Sequence, residues 1–215
     1  YLNSAQNRIA EMNSYAEALD SDKYRTATAE LAALVPEVLE TVDAIHANDS
    51  QVNGATEEAF AAGTEMAATS TTLFDLVTRL TQQMGETDPA SAMERFDSVI
   101  LPAQQLSEAV DAFRIEARTL LTAQDASIAD TLYAELDDII TRCNGINNVL
   151  TTAEARSAVD AVKAAADTYR TEISHVVDLL NNSAQLVVEA RAVNNQLEST
   201  VSSEVTAITE EVNTL

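Results

Sequence analysis

The chain has 215 residues, of which 35 are Asp or Glu and 12 are Lys or Arg, giving a formal net charge of -23. That balance excludes most nucleic-acid binders, which need a basic stripe to displace counterions from phosphate. Apolar residues make up 46% of the chain, enough to build a core and to argue against disorder, while four Gly and three Pro are too few for a fold of many tight turns. Four Phe, five Tyr and no Trp leave a core of small aliphatic side chains, and the composition as a whole is that of a few long helices.

Turn signals cluster at Asn48-Asp49-Ser50 through Gly54, Gly85 to Pro89, Gln124-Asp125 and Asn144 to Thr152. Between them the apolar spacing is three and four with no sustained period of two, so the predicted fold is all-α. In chain order the pattern predicts helices over 1–48, 53–83, 90–123, 126–146 and 153–215. Pro102 should split or bend the third, because it removes a backbone donor and clashes with the preceding turn, and Pro36 should kink the first. The expectation is therefore six helices, two long and four shorter.

The long helices carry heptad seams that change phase. In the first, Leu2, Ala5, Ile9, Met12, Ala16 and Leu19 make one seam, and Tyr24, Leu31, Val35, Val38, Val42 and Ile45 make another, offset at residues 20–23. In the last, Val162, Ala166, Tyr169, Ile173, Val176, Leu180 and Val187 give way near 187–197 to Leu197, Val201, Val205, Ile208, Val212 and Leu215. Such a stutter marks a change of packing partner. At ~1.5 Å per residue the first break lies roughly 30 Å from the N-terminus and the second roughly 30 to 40 Å from the C-terminus. Segments 103–123 and 126–146 are about that long, so they would complete a four-helix bundle with the two terminal segments, and the remainder would form a second bundle stacked beyond it. This assigns a membrane-proximal module to 1–20, 103–146 and 190–215, and a membrane-distal module to 21–102 and 150–189.

The layout resembles the helical bimodular sensor domain of bacterial chemoreceptors and some sensor kinases. The residues that carry the resemblance are the stretch from Ser183-Ala184-Gln185 through Leu215, the segment Ala112-Phe113-Arg114-Ile115-Glu116-Ala117-Arg118, and the pair Tyr169-Arg170. The resemblance covers essentially the whole chain. It implies two stacked four-helix bundles in an extracytoplasmic, periplasmic ligand-sensing domain that lies between two transmembrane helices, binds small organic acids and acts as a homodimer. A single-module four-helix sensor is the nearest structural alternative, because the chain is short for the bimodular family. Tyr1 in place of Met and a helical pattern still running at Leu215 suggest an excised fragment whose membrane helices lie outside it. No run of ~20 apolar residues and no signal peptide occurs within the chain.

The minority charges carry the functional reading. In the stacked layout Arg8 sits roughly 12 Å above the membrane end, Arg114 and Arg118 at roughly 8 to 14 Å, and Tyr133 at about 11 Å. Guanidinium forks grip carboxylates bidentately and a phenol donates a further hydrogen bond, so these residues are expected to form a carboxylate site, with Tyr15 on the stripe of Arg8. The alternative for each arginine is an interhelical salt bridge to acids such as Glu11, Asp137 or Asp138. Tyr169 and Arg170, at the level of His46, are a second expected ligand-binding pair.

Catalysis and metal binding are not expected. Cys143 is alone, so neither an intrachain disulfide nor a cysteine-based metal site is possible, and His46 and His175 lack metal-ligand spacing. Adjacent acids point to different sides of a helix, and no phosphate loop, calcium loop or nucleophile motif is present. The chain is read as a non-enzyme without cofactor that binds a small carboxylate. A coiled-coil spacer or other interaction protein without a small-molecule site, and the sensor domain of a histidine kinase, are the competing readings.

Overall fold

The computed structural model describes Ser14 and residues 22–214. Among these residues there is no strand, and the predicted six helices resolve into four helical rods. α1 (Asp22–Gly85) is the first. α2 (Pro89–Arg95), a π turn (Phe96–Ile100) and α3 (Leu101–Ala123) make the second. A 3-10 turn (Ala126–Ile128) leads into α4 (Ala129–Val149), and α5 (Ala153–Thr214) is the last. No described helix is long and apolar enough to cross a membrane.

The main correction concerns residues 48–54, where the predicted turn is instead continuous helix. Val52, Ala55, Ala59, Ala62 and Met66 keep the buried spacing of three and four straight through it. Asn48, the first residue of that turn signal, is buried; its side-chain amide donates to Ser183 Oγ at 2.7 Å, and its carbonyl oxygen accepts from Asn182 Nδ2 at 2.7 Å. Tertiary bonds thus replace the local bonds by which Asn usually interrupts a helix. Farther along, the Thr69-Ser70-Thr71-Thr72 run also stays helical, each hydroxyl donating to a carbonyl three or four residues back.

The other predicted boundaries hold closely. Asp88 caps α2, its carboxylate accepting from Ser91 N at 3.1 Å, with Pro89 in the first turn. Pro102 does not break the second rod but follows the π turn, in which Leu101 N–H reaches back to Phe96 O. The widened turn absorbs the proline ring at the position where an α-helical carbonyl would clash. Gln124 ends α3 in the left-handed region at φ 52°, and Asp125 accepts from Ser127 N at 2.9 Å to start the next turn. Between α4 and α5, Arg156 donates from Nε (3.2 Å) and Nη2 (2.9 Å) to the Leu150 carbonyl, so a cation closes the helix end.

The chain divides into two units, residues 51–181 and the termini flanking them. In the first, buried stripes from all four rods form one hydrophobic cluster that includes Met66, Leu73, Leu106, Phe113, Leu132, Leu136, Val162 and Ile173. Segments 103–146 therefore pack with 51–85 and 153–181, and the unit boundaries fall at 50/51 and 181/182. α1 runs unbroken through residue 50 and the second rod through Pro102, so the described residues supply four rods and not six. In the other unit the described residues are stretches of α1 and α5, and Leu34 is their only buried hydrophobic side chain.

Candidate functional site

The site grows out of one glycine. Gly63 lies on the inward side of α1 among Ala59, Ala62 and Met66, and a Cβ placed there would meet the Tyr169 ring at 2.8 Å. Only a residue without a side chain lets the phenol of α5 lie against the α1 backbone. Phe113 of α3 fixes the ring from another side, edge to face, with centroids 5.2 Å apart and planes at 84°. Tyr169 is 2% exposed. Burial pushes its hydroxyl up to about 12, with the positive charge of Arg114 pulling the other way.

Over this floor lies a groove of about 600 Å³ lined by Phe60, Gly63 and Thr64 of α1, by Asp111, Arg114, Ile115 and Arg118 of α3, and by Tyr169. The volume falls within the range of small-molecule sites, and the lining combines an apolar wall with a few polar groups. Arg114 is held by Asp111 one turn earlier at 3.4 Å. The Arg118 guanidinium makes no hydrogen bond or ion pair among the described residues. Two guanidiniums one turn apart on α3 repel unless an anion lies between them or acids neutralise them, and Asp111 neutralises only the first.

The expected residues separate into three groups. Arg114, Arg118 and Tyr169 converge on the groove, joining what the sequence placed in two separate sites. Tyr133 and Arg170 do not line it: Tyr133 is half-buried against the core, and Arg170 pairs across to Asp137 on α4, the salt-bridge alternative realised by a different arginine. Arg8 and Tyr15 lie outside the described residues. Phe60, Gly63, Thr64, Asp111 and Ile115 were not foreseen. Gly63 was the detectable one, because an isolated glycine inside a strong helical pattern costs ~1 kcal/mol relative to Ala and so has a packing or functional reason.

Comparison with protein-family models, with characterised proteins and with solved structures produced no match for this chain.

Proposed function

We propose that the chain is the extracytoplasmic, periplasmic sensor domain of a methyl-accepting chemotaxis receptor, and that the groove over Tyr169 receives a small organic acid. The observation that carries this reading is the Arg118 guanidinium, unpaired among the described residues of a chain with 35 acids, beside Arg114 at a concave site. A coiled-coil spacer has no need of such an arrangement. The carboxylate would be gripped by the two guanidiniums, its carbon skeleton resting on Phe60 and Ile115, with the Tyr169 hydroxyl below as a donor. A ligand held between α1, α3 and α5 favours whichever arrangement of these helices binds it better. α5 would carry that bias toward a flanking membrane helix.

A homodimer belongs to the same proposal. Val42, Val187, Val201 and Val205 are 41 to 56% exposed. They belong to the terminal unit, where a further groove of about 410 Å³ is lined by Val38, Val42, Val187, Ala190 and Leu197. Two helical segments cannot enclose a core, whereas a second copy would bring the number to four. A histidine-kinase sensor would share every one of these features, since the two classes differ in their cytoplasmic output.

A thermal-shift screen against two- to six-carbon carboxylates tests the reading. A true ligand at 100 times its Kd adds ~2.7 kcal/mol and raises the melting temperature in a concentration-dependent way. Arg118→Ala should abolish the shift. The absence of any shift across the screen would remove the sensor reading, and a shift that survives both Arg118→Ala and Arg114→Ala would move the site elsewhere.

A further inference from the structure

We propose that Glu58, Glu172 and His175 form a site for one divalent transition-metal ion of the zinc type, bridging α1 and α5. Glu172 and His175 are three residues apart on α5, which puts both side chains on one face of the helix. Glu58 reaches them from α1 because the two helices run antiparallel in one register, marked in the same unit by Gly63 against Tyr169 and by the Arg79–Glu154 ion pair at 3.1 Å. One ligand atom from each residue lies within 4.8 Å of the other two. The spacing within α5 is visible in the sequence, but the third ligand lies more than a hundred residues away, so only the fold completes the set.

Zinc binds carboxylate oxygen and imidazole nitrogen at about 2.0–2.2 Å, which sets tetrahedral ligand atoms roughly 3.3–3.6 Å apart. The remaining closure is a matter of side-chain rotation: Glu58 and His175 are exposed and Glu172 is half-buried. None of the three side chains makes a hydrogen bond or ion pair among the described residues, so no existing partner competes for the ligand atoms. Two carboxylates drawn together without a counter-charge repel, and a dication removes that repulsion. The mixed set selects the ion class. An imidazole suits zinc, nickel or copper, whereas magnesium and calcium ask for all-oxygen shells with more ligands than three side chains supply. Three protein ligands leave the fourth position to water.

The site shares no residue with the groove, so its test is independent of the carboxylate reading. The metal-free protein would be titrated with zinc chloride by calorimetry and followed by thermal unfolding, with magnesium chloride in parallel. The expected result is saturable binding of one zinc ion per chain with a rise in melting temperature. Affinity should weaken at least tenfold in His175→Ala and in Glu58→Gln, stay unchanged in His46→Ala, and show no competition from magnesium. The proposal is overturned by the absence of saturable binding, by unchanged affinity in His175→Ala, or by an equal response to magnesium, which would mean diffuse counterion binding to an acidic surface. Glu58 and His175 are exposed, so substituting them keeps the core on which the helices fold.

Discussion

Along α1 and α5 the same residue types, at the same spacing of three and four, meet two different environments. Within 51–181, Val159, Val162 and Val176 of α5 are fully covered, because α3 and α4 supply the rest of a core. Within the terminal unit, Val187, Val201 and Val205 of the same helix remain 41 to 56% exposed. An amphipathic stripe specifies a helix and a face, but the number of helices available to cover that face decides what it contributes. Burying a Val or Leu side chain is worth ~1.5–3 kcal/mol, and the central unit collects that contribution many times over.

The largest expected effect tests this difference directly. Leu132 is fully buried, and Leu132→Ala should lower stability in denaturant unfolding by about 2–5 kcal/mol, as deletion of a packed core side chain does. Val201→Ala in dilute protein should change it by less than ~0.5 kcal/mol. At high concentration the same variant should weaken self-association in sedimentation. Equal losses from the two substitutions would mean that the terminal unit has a core of its own.

Gly63→Ala comes next. Its methyl would enter the Tyr169 ring, and overpacking of this kind costs about 1–3 kcal/mol, outweighing the ~1 kcal/mol that Ala gains over Gly as a helix former. Tyr169→Leu in the same chain should recover part of the loss, since it removes the ring atoms the methyl meets. Stabilisation by Gly63→Ala alone would show that α1 and α5 do not approach here as closely as the groove floor requires.

These two residues also show how far the fold was legible in the sequence. The buried side of α5 from Val162 to Leu180 could be read from its heptads, and the turns at Gly85 to Pro89 and Gln124-Asp125 from their residue types, because both are local properties. The phase change of α5 near 187–197 follows soon after the observed unit boundary at 181/182. The continuity of α1 was not legible. Asn48, Asp49, Ser50 and Gly54 favour a turn locally, and what overrides them is a pair of hydrogen bonds to residues more than 130 positions away. That missed continuity, with the unbroken passage at Pro102, accounts for the expected six helices where the described residues form four rods.

A smaller effect separates the two units by pH. Burial raises the carboxyl of Glu135, and the neighbouring Glu116 raises it further by charge and by a hydrogen bond. A carboxyl that holds its proton more tightly when folded adds stability below its ordinary value of 4.5 and loses that contribution as pH rises through the raised value. Glu135→Gln imitates the protonated form. It should therefore be more stable than the parent at pH 7, by less than the Gly63 effect, with the gap closing below pH 4.5. A gap that stays constant with pH would mean that the pair does not titrate as a unit of the core.

The smallest effect concerns the turn between α3 and α4, which belongs wholly to the central unit. Gln124 holds φ 52° while its N–H closes onto the Leu120 carbonyl. A side chain in the left-handed region costs roughly 1–2 kcal/mol, which glycine avoids at an entropic cost of roughly 0.5–1 kcal/mol. Gln124→Gly should therefore raise stability by about 0.5–1 kcal/mol. In differential scanning calorimetry the gain should appear in the transition that Leu132→Ala lowers and leave unchanged the concentration dependence that Val201→Ala alters. A gain that moved both together would mean that the two units melt as one, and that the exposed stripe of α5 is stabilised through the central core and not by a second copy.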